Sequence, residues 1–242
     1  MTAHLTAKST LLDLVETKKS RLVFSADVTS AKELLDLADA LGPKIVCFKT
    51  HIDILEDFTP AVAEELKKLS KKHAFYIFED RKFADIGSTV QKQYAEGIYK
   101  IRDWAHLVNA HPLPGPGLIE GLREKKGPET LGCLLIAQLS TKDNLITEDY
   151  TQKCVELALQ YPDFVSGFIS QKRLHPDFIH ITPGVNLSVS GDDLGQKYRT
   201  PEEAIQRDGC DLIVVGRGIL KSQDQLKTAE DYRTRSYAST SL

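Results

Sequence analysis

The sequence has no apolar run that approaches a membrane span and no continuous apolar stretch of signal-peptide length between Met1 and Lys19. Neither a bilayer nor a secretory route is therefore expected, and the reading is a soluble, cytoplasmic chain. No Pro/Gly/Ser-rich linker separates two halves, so residues 1–242 are expected to form one domain. There is no excess of basic charge: 31 Lys and Arg stand against 34 Asp and Glu, for a net charge of -3 and a pI near 6.2. A nucleic-acid binder needs a basic surface to displace counterions from phosphates, so no nucleic-acid partner is expected. The four cysteines, Cys47, Cys133, Cys154 and Cys210, form no C-x-x-C pair and sit mostly in apolar runs, as buried reduced thiols do. The seven histidines show no H-x-x-x-H or similar spacing, so neither zinc nor another metal has support.

What is present is alternation. With 242 residues and 41% hydrophobic content the chain can fill either two small domains or one large barrel. Short β-rich runs at 22–26, 45–48, 74–78, 106–109, 131–137, 165–169, 178–181 and 212–215 are separated by amphipathic segments. Ser30-Ala31-Lys32-Glu33 and Thr200-Pro201-Glu202-Glu203 are capping-box patterns, and Thr59-Pro60 and 222–225 mark further helix starts. After Ser88, the residues Val90, Tyr94 and Ile98 recur every four positions as one apolar stripe. Alternating strands and helices imply parallel pairing with right-handed crossovers, and eight units of this size match a closed (β/α)8 TIM barrel. An open doubly wound sheet is the competitor. The barrel is favoured because polar residues collect just past the strands: Asp27, Lys49, Asp80 and Lys82, Asn109 and His111, Ser140, Pro183-Gly184 and Gly216-Arg217. Barrel active sites lie at that rim.

The string from Phe78 to Gly87, FEDRKFADIG, packs opposite charges at what reads as the end of a buried strand. Residues two apart on an extended chain share a face, so Asp80 and Lys82 are expected to project side by side. Exposed loops carry similar residues to little energetic effect, and the rim position decides between the two readings. At the far end of the barrel order, Val215-Gly216-Arg217-Gly218 offers glycines for close approach to an oxyanion and a guanidinium that can bind two phosphate oxygens. The segment 186–200 is long for a βα loop and carries Gln196, Tyr198 and Arg199, which could close over an anion.

With those residues laid out, the chain strongly resembles the orotidine 5′-monophosphate decarboxylase family in its eukaryotic form. The resemblance rests on 78–87, on 41–44 and 49–55, on Thr182-Pro183-Gly184-Val185, on Leu194 to Arg199 and on Val214 to Gly218, and it covers nearly the whole chain. It implies decarboxylation of orotidine 5′-monophosphate to UMP, without metal or cofactor, by a lyase acting as a homodimer. The implied charge array is Lys49, Asp80, Lys82 as proton donor, and Asp85 entering from the neighbouring subunit. Asp27, Lys49 and His51 would serve the ribose, with Thr89 of the neighbouring subunit. Ser140 and Gln196 would read the pyrimidine edge near Pro183, while Gln196, Tyr198, Gly216 and Arg217 would hold the phosphate. Fusion to or association with an orotate phosphoribosyltransferase domain is also implied. Three features depart from the family pattern: Ser88 in place of Asn, Gln138 in place of Glu, and a tail after Tyr232 without the usual apolar ending. Magnesium-dependent phosphosugar synthases and decarboxylases share the D-x-K-x-x-D pattern and are the alternative.

Overall fold

The structure, a computed structural model, describes residues 3–187 and 198–239. A leading helix α1 (Ala3–Lys18) is followed by β1 (Leu22–Ser25), α2 (Ala31–Leu41), β2 (Cys47–Thr50), α3 (Pro60–His73), β3 (Tyr76–Phe83), α4 (Gly87–Ala95) and β4 (Leu107–Ala110). Then come α5 (Pro116–Glu124), β5 (Gly132–Ile136), α6 (Glu148–Gln160), β6 (Val165–Ile169), β7 (Ile179–Thr182), β8 (Leu212–Val215), α7 (Arg217–Leu220) and α8 (Gln225–Ala238). Each strand pairs in parallel with the next and β8 pairs with β1, which closes the barrel. All eight expected strands are present. Four of them run further toward the carboxyl end than expected, β4 and β7 by one residue to Ala110 and Thr182, β2 to Thr50 and β3 to Phe83, so Lys49, Asp80 and Lys82 lie within strands.

Strand alternation divides the barrel residues between two apolar regions. Phe24, Phe48, Ile77 and Val108 face outward and pack with Leu34, Leu41 and Leu66 of the surrounding helices. Val23, Cys47, Phe78, Leu107, Leu134, Ile181 and Leu212 face the other way and form the barrel interior. Leu11 and Val15 of α1 belong to this interior cluster and are fully buried, so α1 closes the mouth at the strands' amino ends. Its Lys8 reaches the backbone carbonyl of Pro176 in the helix-free β6–β7 connection. With that end sealed, the open end is the rim where the strands finish.

Local signals account for some of the helix starts. The capping box at Thr200 forms reciprocally, Thr200 N–H donating to Glu203 Oε2 (2.9 Å) and Glu203 N–H to Thr200 Oγ1 (3.2 Å). The segment it opens is a π-helical turn, Glu203–Arg207, rather than an α-helix. Ser30 makes no such bond; the start of α2 is instead tied down by Asp57 Oδ1, which accepts from the Ala31 N–H at 2.7 Å from 26 positions away. At α8 the capping side chain is Asp224, which accepts from Lys227 N–H. The stripe after Ser88 holds only for Val90 and Tyr94: α4 ends at Ala95, and Ile98 lies beyond it with 68% exposure. All four cysteines are buried free thiols. Among the described residues no helix is long and apolar enough to cross a membrane.

Candidate active site

At the rim a cavity of about 290 Å³ opens into the barrel. Its floor is the topmost inward layer of the strands and is chemically two-sided. Strands β1 to β4 contribute Ser25, Lys49, Asp80 and Asn109, whereas β5, β6 and β8 contribute Ile136, Ile169 and Val214. A flat ring lying on the apolar side would present one edge to the charged side.

The charged side is an alternating array. Asp80, whose side chain is only 11% exposed, places Oδ2 at 2.7 Å from Lys49 Nζ and Oδ1 at 2.6 Å from Lys82 Nζ. Lys49 also lies 3.6 Å from Asp27 Oδ1, and that oxygen accepts from Ser25 Oγ at 2.7 Å. Burial alone would push the Asp80 carboxyl up, but Lys49, Lys82 and His51 more than offset it and hold it well below the usual carboxylate range. His51 is lowered, first by burial and then by the Lys49 charge. Its Nε2 lies 2.8 Å from Lys49 Nζ. Because an ammonium only donates, Nε2 is the acceptor there and the ring proton sits on Nδ1.

Lys82 reaches this array from a strained backbone. Its φ is +53°, the left-handed region that a residue with a Cβ enters at a cost on the order of 1 kcal/mol or more. The cause is an irregularity in β3, whose register against β4 shifts between Glu79 and Phe83. In a regular strand Lys82 would share the inward face with Asp80 by alternation; here the shifted chain brings its ammonium back to Asp80 by another path.

The rim residues come from the last two strand ends. Gly184 has φ +76°, which suits glycine, and turns the chain after Pro183 so that its carbonyl accepts from Arg199 N–H at 2.9 Å. At Gly216 a Cβ would stand 3.1 Å from Ser25 Cβ and 3.3 Å from Asp27 Oδ2, so a side chain there would crowd the floor. Arg217 follows and lines the cavity with Tyr198 and Ser140. The array, the two-sided floor and the cationic rim stand together at one barrel mouth, and residues 20–232 match the family described as orotidine 5′-phosphate decarboxylase / HUMPS family.

The chain belongs to that family. It is 52% identical over 225 residues to the uridine 5′-monophosphate synthase of Bos taurus, covering 92% of this chain and 47% of that protein, so it spans about half the length of this relative. It is 51% identical over 228 residues to the orotidine 5′-phosphate decarboxylase of Rhizopus oryzae, covering 92% of this chain and 86% of that one. The solved orotidine 5′-phosphate decarboxylase from Pyrococcus horikoshii OT3 has a TM-score of 0.66 at 18% identity, covering 89% of this chain and 98% of that one, a likeness of fold.

For a member of the orotidine 5′-phosphate decarboxylase / HUMPS family, most residues singled out in the sequence converge. Lys49, Asp80, Lys82 and Asp27 line the floor, and Ser140, Pro183, Tyr198, Gly216 and Arg217 line the walls and rim. His51 does not line the cavity; it backs Lys49 from behind. Asp85 is exposed and accepts from the Ile86 N–H at 2.7 Å, and Thr89 stands one helical turn on, both outside this chain's own cavity. Gln196 lies outside the described residues. Arg199 turns away from the cavity: its guanidinium binds Asp208, the Gln171 carbonyl (2.5 Å) and Thr182 Oγ1 (2.5 Å), so it is a structural anchor and not a hand for an anion. Asn109 was visible in the sequence only as a polar residue at a strand end, yet it contacts both Asp80 and Lys82.

Proposed function

We propose that this chain decarboxylates orotidine 5′-monophosphate to UMP, the last step of de novo pyrimidine nucleotide synthesis, as a carboxy-lyase working as a single barrel domain. The observation that carries the reading is the Lys49–Asp80–Lys82 array at the floor of a family barrel whose rim carries Arg217. Loss of CO2 leaves an electron pair at C6 in the plane of the pyrimidine, where the ring π system cannot take it up. Stabilisation is then electrostatic: an ammonium about 3 Å from the developing carbanion contributes roughly 5 kcal/mol at an effective dielectric near 20. That is roughly four decades in rate, well short of the largest enzymatic enhancements. Gripping the remote phosphate supplies the remainder by excluding water and fixing the ring against the array.

In this reading Lys82 Nζ gives its proton to C6, producing UMP, and regains one from solvent. Asp80 keeps both lysines charged and aimed, and Lys49 with Asp27 and His51 addresses the ribose. Ser140 reads the pyrimidine edge near Pro183. Tyr198, Gly216, Arg217 and Gln196 take the phosphate. Asp85 and Thr89 serve the site of a second copy of the chain in a homodimer, which is supported by the exposure of Asp85 beside Ile86, an isoleucine 62% exposed, and by both residues standing outside this chain's own cavity. A working association with an orotate phosphoribosyltransferase domain is supported by the match to part of the bovine synthase. Both oxygens of Asp80 face lysine ammonium groups, which favours this reading over a magnesium-dependent phosphosugar reaction.

The test follows the loss of orotidylate absorbance. The parent chain should turn over without added metal and in the presence of EDTA, and Lys82→Ala should abolish turnover while UMP binding survives. Turnover retained in Lys82→Ala overturns the assignment.

A further inference from the structure

Between the paired positions Glu79–Val108 and Phe83–Ala110, three residues of β3 (Asp80, Arg81 and Lys82) stand opposite the single residue Asn109 of β4. An ordinary bulge sets two residues against one, so this is a larger interruption, and the ladder cannot serve every backbone group across it. Asn109 fills the gap with its side chain. Its Oδ1 accepts the Lys82 backbone N–H at 2.8 Å, and its Nδ2 donates to Asp80 Oδ1 at 2.6 Å. The same Asp80 oxygen receives Lys82 Nζ at 2.6 Å, so backbone, ammonium, carboxylate and amide form a closed ring. The amide has one workable orientation, because turning it over would set Nδ2 against an N–H and Oδ1 against a carboxylate. Asn109 is 1% exposed, which leaves the side chain little freedom to leave these partners.

We propose that Asn109 is a positioning residue for the reaction: it holds the Lys82 backbone in its left-handed conformation and fixes the rotation of the Asp80 carboxylate, so that one oxygen serves Lys82 and the other Lys49. It acts through those two side chains rather than on the reacting atoms. Alanine at this position removes both contacts. Aspartate keeps an acceptor for the Lys82 N–H but sets a second carboxylate against Asp80. The catalytic half of the inference rests on the proposed function; the structural half does not.

The experiment uses the full chain and two variants, Asn109→Ala and Asn109→Asp. For Asn109→Ala, kcat for orotidylate should fall about 100-fold, the size expected for misplacing a catalytic group by an ångström or so, with KM and the UMP Kd within about threefold. Independently of activity, exchange of the Lys82 amide measured by NMR should accelerate at least about tenfold while the ladder amides of β4 keep their protection. In Asn109→Asp the added carboxylate faces Asp80 and Lys82 of β3, Lys49 and His51 at the end of β2, and His111 beyond β4. Two carboxylates sharing a site raise one pKa, so the acid limb of the kcat profile should move to higher pH, a change that loss of packing alone would not produce. A kcat within threefold of the parent in Asn109→Ala, or unchanged Lys82 exchange, overturns the proposal. Should Asn109→Ala fail to fold, an unmoved acid limb in Asn109→Asp overturns it. If the parent itself does not consume orotidylate, the functional reading fails and the exchange measurement alone decides whether Asn109 holds the bulge.

Discussion

Glu79 and Asp80 are neighbouring carboxylates that the barrel places in opposite surroundings. Asp80 faces inward among lysines and stays ionised. Glu79 faces outward beneath the helices, fully buried, and accepts from Thr50 Oγ1 at 2.6 Å and from the Ile52 N–H at 3.1 and 3.2 Å. It thereby ties down the turn just past Lys49 and His51. Burial pushes its pKa up from 4.5 to about 8, against the downward pull of those hydrogen bonds. A carboxyl with a raised pKa is protonated more readily in the folded than in the unfolded state, so its contribution is present at low pH and lost as pH rises from 4.5 toward about 8. Glu79→Gln cannot titrate. The melting temperature of the parent, compared with that of Glu79→Gln, should therefore decline across that window, and parallel melting curves from pH 5 to about 8 would contradict the assignment.

At the scale of elements, the β3–α4 connection carries Lys82 at one end and Asp85 and Thr89 at the other, so the seating of α4 bears on the site. That seating depends on a glycine contact. A Cβ at Gly121 of α5 would lie 2.6 Å from the Gly87 carbonyl oxygen, and one at Gly87 would lie 2.5 Å from the Gly117 carbonyl oxygen. Both clashes are with backbone, which cannot swing aside as a side chain does. Gly121→Ala should force α4 and α5 apart and cost about 1–3 kcal/mol, the usual penalty for overpacking, partly offset by alanine's better helix propensity. Urea unfolding measures this as a lower midpoint at unchanged slope. A midpoint equal to the parent's would mean the helices are not held by that contact. The opposite flank of the site is secured differently: Arg199 ties the end of the β7–β8 connection to Asp208, Gln171 and Thr182.

For the whole molecule, the proposed homodimer makes catalysis a property of two chains. If Asp85 serves the neighbouring site, a chain lacking Lys82 and a chain lacking Asp85 are each inactive alone but complementary. In a two-fold dimer the mixed pair contains one site carrying both lesions and one carrying neither. Equal mixing of Lys82→Ala and Asp85→Ala after subunit exchange should therefore restore about a quarter of the parent activity, since half the dimers are mixed and half their sites intact. Sedimentation would show whether exchange has occurred. Mixed dimers with no recovered turnover would place Asp85 outside the reaction.

Eight strands in order, the polar rim and the D-x-K-x-x-D string were legible in the chain because each is written in nearby residues: short β-rich runs set between amphipathic segments, and charged residues at the end of an apolar run. The same applies to Arg217 and Gly216, which follow directly on the last strand. Other features depend on neighbours brought together by register. Asn109 meets Asp80 and Lys82 from 29 and 27 positions away, across a bulge that no local pattern announces. Arg199, in a segment whose composition suits anion binding, is turned toward Asp208 and Thr182 by the pairing of Val185 with Arg199. Glu79 reads like its neighbour Asp80, and only the inward or outward direction of each side chain separates a structural carboxyl from one in the charge array. The order of elements is set by short-range chemistry along the chain; which face, which partner and which protonation state each residue takes is set by closing eight strands into one ring, because closure determines what lies beside each side chain and how far it is from water.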